Sequence, residues 1–219
     1  MGIHRGVRAL VVTAIFLGSA VTAQAAQAAA EFHADAEPVL MTGEQLVQNK
    51  FTFVAGNVKC KVARFEATSA VKTFTTASFH PTYAECTAFG AVAVVNTAGC
   101  NYLLHTKETV EGGVTATVDV VCAGAPITIE VPAGNCKVTI PSQENLAHII
   151  LSNTNVVTNE KDVDANLTIA GLEYIVDGPG AICGPLGKAN NGAITGTWTI
   201  RGFEDKGGIE GAQVGLWVE

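Results

Sequence analysis

Residues 79–90 read FHPTYAECTAFG and hold His80, Tyr83, Glu85 and Cys86 within seven positions. Those side chains could supply a base, an acid and a nucleophile. A cysteine nucleophile needs an unpaired thiolate, a nearby base and a third group to orient that base. The chain has six cysteines, Cys60, Cys86, Cys100, Cys122, Cys136 and Cys183, and no C-x-x-C pair. An even count in an exported chain reads as a disulfide framework, which consumes Cys86. Pro81 then biases His80 toward extended backbone, as in a turn or strand entry. His80 and Glu85 remain as an acid/base pair on which no second motif converges.

A second candidate is DVDANLTIAGLE, residues 162–173. Asp162, Asp164, Asn166 and Glu173 stand at positions 1, 3, 5 and 12 of a calcium-loop pattern. Position 6 is Leu167, where the sharp turn of such a loop needs glycine. Val163, Ala165, Leu167 and Ile169 alternate with polar residues, so a strand with one wet face accounts for every position. Asn166 also opens an N-x-T glycosylation sequon. The histidines His33, His80, His105 and His148 are scattered without metal-ligand spacing. No G-x-S-x-G, H-E-x-x-H or phosphate-binding glycine loop occurs, and no cofactor is called for.

Two surfaces could bind rather than react. Thr195, Thr197 and Thr199 alternate with Ile194, Trp198 and Ile200, giving a threonine row on one strand face. In AQVGLWVE, Val214, Leu216 and Val218 share one face. Trp217 then stands on the other, beside Gly215, which would leave its ring uncovered for a glycan or a partner; the alternative is a strand buried on both faces or a Trp217 covered by a loop, which spares a large aromatic ring from water.

The elements that must carry these residues are strands. Thirteen Val-, Ile-, Thr- and aromatic-rich segments lie between residues 50 and 218, separated by Gly-, Pro-, Asn- and Asp-containing turns. They are preceded by a basic N-terminus, a short apolar run over 9–18 and A-x-A triplets, the layout of a secretory signal over 1–30. Only Arg64 and Arg201 remain as arginines after it, and the balance is more acidic than the whole-chain −7. A chain of that charge has no basic patch to track nucleic acid or an anionic membrane. The segment 31–219 is expected to be one domain with no membrane span. An echo between GNVKCKV (56–62) and GNCKV (134–138) would place any sub-boundary near 141–145.

Strand parity supports the sequential pairing of the cysteines among those that the sequence leaves open. Cys60, Cys122 and Cys136 each point with the apolar set of their strand, favouring Cys60–Cys86, Cys100–Cys122 and Cys136–Cys183. Each bridge would stabilise the fold by roughly 2–4 kcal/mol. A tight turn at Gly112–Gly113 would put Cys100 and Cys122 on different faces. A longer loop, or a bulge, instead pairs Cys100 with Cys122, Tyr102 with Val120 and Leu104 with Val118.

The leader, the HPTYAECTAFG segment, the AGC and GNC turns and the tail GTWTIRGFEDKGG resemble secreted six-cysteine β-proteins of high-GC Gram-positive bacteria. That resemblance implies no activity. The expected fold is all-β, an antiparallel β-sandwich with three disulfides. The expected role is a secreted, non-catalytic binding, adhesion or envelope-structural module, with envelope polysaccharide or another surface protein as partner. The rivals are a hydrolase using Glu85 and Glu173, and a calcium-dependent module using Asp162, Asp164 and Glu173.

Overall fold

The computed structural model describes residues 29–155, 161–179 and 183–219. The leader expected over 1–30 lies, apart from Ala29 and Ala30, outside the described residues. The strands in chain order are β1 (Phe32–Ala34), β2 (Val39–Phe53), β3 (Gly56–Ser69), β4 (Thr73–Phe74), β5 (Thr76–Ala88) and β6 (Ala91–Asn96). Next come β7 (Cys100–Val110), β8 (Gly113–Cys122), β9 (Ile127–Val131), β10 (Cys136–Ile140) and β11 (Gln143–Thr154). The last four are β12 (Asp162–Asp177), β13 (Gly187–Asp205), β14 (Glu210–Val214) and β15 (Leu216–Val218).

The main sheet is an eight-position antiparallel barrel. Five positions are single long strands: β2, β3, β5, β12 and β13. The other three are each split in two, as β6 with β7, β9 with β8, and β10 with β11. β5 pairs with β7 near its start and with β6 near its end. β12 likewise pairs with β11 near its start and with β10 near its end. Neighbours in the wall are neighbours in sequence, and the pairing of β13 with β2 closes the ring.

The expected sandwich is therefore replaced by a closed wall. Inward/outward alternation is the same in both architectures, so the pattern alone does not distinguish them. Closure depends on the β12–β13 and β13–β2 ladders, which join what would otherwise be sheet edges. It removes those edges from solvent. Residues on both sides of 141–145 build the same ring, and Pro141–Ser142 is the break between β10 and β11.

Bulges bend the long strands at mid-height. β2 shifts register between Glu44 and Asn49, and β12 shifts against β13 between Ala170 and Tyr174. The first half of β2 escapes the sequence pattern for this reason: the bulge exposes Leu46 and Val47 and breaks the alternation. The bulge also turns Asn49 inward, where it is fully buried. Its Oδ1 accepts the Trp198 indole N–H at 3.1 Å, and its Nδ2 donates to Gln45 Oε1 at 3.1 Å. Gly196 makes room for this contact, since a Cβ there would lie 2.7 Å from Asn49 Oδ1.

The barrel is filled. Trp198 stacks on Phe65, and Tyr83 packs edge-on against Phe51 and Phe65. The Tyr83 and Tyr102 hydroxyls meet at 3.0 Å. Burial, reinforced by the neighbouring phenol, holds the Tyr83 pKa well above its usual 10. Burial pushes Tyr102 up to about 12.

The disulfides are Cys60–Cys86, Cys100–Cys122 and Cys136–Cys183. The first two join directly opposed residues of β3 with β5 and of β7 with β8. The third ties β10 to the connection between β12 and β13. Around the β7–β8 hairpin, Tyr102 faces Val120 and Leu104 faces Val118. A bulge between Thr106 and Thr109 absorbs the offset, so a tight turn at Glu111–Gly112 coexists with the aligned cysteines.

Candidate functional site

The two barrel ends are closed differently. At the cap end a three-stranded antiparallel sheet, in the order β15-β1-β4, lies across the opening. Phe32, Leu216 and Val218 are buried from it. Asn153 of β11 clamps it in place: its Nδ2 donates to Val218 O and its Oδ1 accepts the Val218 N–H, both at 2.8 Å. A side-chain amide thus substitutes for a strand partner.

The outer face of the cap carries a cross-strand row. Thr73 opposes His33, and His33 opposes Trp217. The His33 and Trp217 rings are nearly parallel, with centroids 5.4 Å apart. His33 Nδ1 lies 3.3 Å from Thr73 Oγ1, and its Nε2 lies 3.3 Å from Glu219 Oε1. The Lys161 ammonium sits 4.0 Å from the Trp217 ring centroid. Trp217 is half-buried. Its ring stands on the outer side, as parity requires, but it is not left uncovered by Gly215. The strand breaks at Gly215, β15 turns beneath the barrel, and His33 and Lys161 come to the ring. Chemically the patch is an aromatic surface ringed by an ammonium, an imidazole, a hydroxyl and a carboxylate.

The sequence gives little warning of these partners. Lys161, Thr73 and Glu219 lie far apart along the chain, and β1 and β4 have only three and two residues. The weak cue for His33 is FHA, one polar residue between two apolar ones.

The threonine row does not join this patch. Thr195 and Thr197 are half-buried on the outside of the barrel wall, opposite Thr168 and Asn166. Thr199 is buried, and its hydroxyl donates to Asp164 Oδ1 at 2.7 Å. It is therefore a structural residue, not part of an exposed recognition row.

The calcium pattern is a strand. Asp162 and Glu173 stand eleven residues apart on extended β12, about 35 Å at ~3.3 Å per residue. A loop that wraps an ion cannot form from that geometry. Asp162 is buried, and its carboxylate accepts hydrogen bonds from Asn155 Nδ2 and Gln213 Nε2. Glu173 pairs with Lys188 at 2.7 Å. Glu85 pairs with Lys61 at 3.4 Å on the surface. The two proposed hydrolase carboxylates thus sit on strands that do not pair, each beside its own lysine. Cys86 is in a bridge, and His80 hydrogen-bonds Asn101 Oδ1 at 3.2 Å.

At the rim end the opening is closed by side chains and turns. Phe53, Val58, Ile129, Val138, Val176 and the Cys136–Cys183 bridge leave an apolar cavity of about 20 Å³. Phe89 in the β5–β6 turn has φ 53° and lays its ring over Gly56, where a Cβ would come within 2.6 Å. A bulky residue in the left-handed region is strained, a condition more common at functional sites than elsewhere. Phe89, Val54 and Leu186 are all exposed here.

No helix among the described residues is long and apolar enough to cross a membrane. Comparison with protein-family models, with curated proteins and with solved structures gives no match.

Proposed function

We propose that this chain is a secreted, non-catalytic binding module of the cell envelope whose cap face holds a neutral polysaccharide. The observation that carries this reading is Trp217, a half-exposed indole fixed between strand neighbours and surrounded by hydrogen-bonding groups. Pyranose rings stack their C–H faces on aromatic rings, while their hydroxyls need donors and acceptors at the perimeter. Lys161 has a flexible side chain. An entering sugar takes its place over the indole, and the displaced ammonium becomes a donor to the sugar hydroxyls. The acidic balance of the chain disfavours polyanionic partners, so a neutral glycan fits best. Three disulfides, the A-x-A leader pattern and the resemblance to secreted proteins of high-GC Gram-positive bacteria support the extracellular setting.

The chain's two tryptophans report separately, because Trp198 is buried in the core and Trp217 is on the cap. Titration with soluble fragments of neutral envelope polysaccharide should change tryptophan emission saturably. The Trp217→Phe variant should lose most of that change while Trp198 emission stays as it is. A flat titration of the wild-type protein rules the reading out.

A second reading rests on the rim. Exposed Phe89, Val54 and Leu186, with the strained Phe89 backbone, suit an apolar side chain of another surface protein better than a sugar.

A further inference from the structure

The three split barrel positions are interrupted at the same height. β6 gives way to β7 at Thr97–Gly99, β8 to β9 at Ala123–Pro126, and β10 to β11 at Pro141–Ser142. The Cys100–Cys122 bridge lies at this joint, on the first residue of β7 and the last of β8. It differs from the other two bridges in access. Cys122 is half-buried, whereas the other five cysteines are each at most 5% exposed. The Cys122 N–H donates to the Ser142 hydroxyl at 3.1 Å. Beside it runs an open groove of about 380 Å³, lined by Val120, Val121, Ser142, Gln143 and Glu144.

We propose that this joint is a thiol–disulfide exchange site, at which a dithiol reductant enters by the groove and opens Cys100–Cys122 while the other two bridges stay closed. A thiolate of the reductant attacks Cys122 Sγ. The S–S bond breaks, and Cys100 leaves as a thiolate that takes a proton from solvent. Cys100 Sγ lies 3.4 Å from Ala125 O, so the resulting thiol has an acceptor already in place. The second thiol of the reductant, once deprotonated, attacks its own sulfur in the mixed disulfide and releases Cys122. Two electrons pass from the dithiol to the bridge, and the dithiol leaves as its disulfide. The attack falls on Cys122 because that residue is the more exposed end of the bridge, and exchange rates follow access. Opening the bridge loosens the β7–β8 pair at its end beside the joint, while the ladder from Asn101–Val121 to Val110–Gly113 and the five long strands hold the barrel closed.

The test is graded reduction of the folded, oxidised protein with dithiothreitol, quenched by alkylation and read by peptide mapping. Cys100 and Cys122 should be alkylated at least ~10-fold faster than the other four cysteines, because buried bridges react only through local opening. Far-ultraviolet circular dichroism and the emission of buried Trp198 should be unchanged when this first bridge has been reduced. Brief reaction with glutathione should leave the mixed disulfide on Cys122 and not on Cys100. Simultaneous reduction of all three bridges overturns the proposal, as does earlier reduction of either other bridge, adduct on Cys100, or loss of the fold with the first bridge. The Cys100→Ala/Cys122→Ala double variant guards against a folding artefact. It should retain the wild-type spectrum, and its two remaining bridges should reduce at the same slow rate as in the wild-type protein.

Discussion

The cap end and the rim end solve one problem with opposite chemistry. A barrel that is filled with side chains still has two open ends, and each would wet the core. The cap end is closed by backbone: three short strands, clamped by the amide of Asn153, with their apolar residues turned inward. Their outward residues, Thr73, His33 and Trp217, are left polar or amphipathic. The rim end is closed by side chains and a covalent staple, and its outward residues Val54, Phe89 and Leu186 are apolar. Closure by a sheet frees an alternating face for recognition, because every second residue must point out. Closure by turns does not create such a face.

The largest test of this contrast removes the rim staple. The Cys136→Ala/Cys183→Ala double variant opens a loop with a sequence separation of 47. It should lose about 4 kcal/mol in chemical denaturation on the chain-entropy account. Amides of β10 and the end of β12 should exchange first, while cap amides stay protected. Equal loss of protection at both ends would show that the ends are not independent.

Alkaline pH acts on the core between them. Tyr83 and Tyr102 are held neutral by burial, with pKa values raised above the ordinary 10. A raised folded pKa means that the stabilisation is complete below pH 10 and is lost as pH climbs through that value toward about 12. For Tyr102 the full loss is on the order of 3 kcal/mol. The protein should therefore weaken at both ends together above pH 10, and tyrosinate absorbance from these two residues should appear only with unfolding. Their ionisation in a still-folded protein, with unchanged circular dichroism, would contradict the filled core.

Asn153→Ala is the matching test at the cap. It leaves the Val218 N–H and C=O without their partners and should cost roughly 1–3 kcal/mol. Exchange at Val218 and Phe32 should rise well above that at the rim. If only global stability falls, the amide is not a specific clamp. The smallest effect is expected for Phe89→Asn. Asparagine tolerates the left-handed backbone, which offsets the lost ring contact, so the melting temperature should change little.

Much of the wall was legible in the sequence because alternation and turn residues report strands directly. The register of β7 and β8 followed from the requirement that Cys100, Tyr102 and Leu104 share an inward face with Val118, Val120 and Cys122. Closure was not legible, since it depends on β13 meeting β2 across about 150 residues, as in the pairing of Thr197 with Val47. The first half of β2 was hidden by its own bulge at residues 45–48, and the Asn49–Trp198 hydrogen bond with it. At the cap face, parity alone placed Trp217 outward. Its neighbours could not be read: His33 lies on a strand of three residues that carries too little pattern, and Lys161, outside any strand, reaches the ring only through the tertiary fold. Thr199 shows the converse error: parity placed it outward correctly, but a neighbouring aspartate and burial make it structural.

We propose that recognition belongs to the cap and not to the rim. The most direct test is co-sedimentation of the folded protein with purified insoluble neutral polysaccharide of the envelope, run on wild type, Trp217→Ala and Phe89→Asn, with melting temperatures measured on the same samples. Trp217→Ala should weaken binding by at least ~10-fold, the usual scale for losing one aromatic anchor, with little change in melting temperature. Phe89→Asn should bind as wild type does. Unchanged binding by Trp217→Ala, or loss of binding by Phe89→Asn alone, would contradict the account.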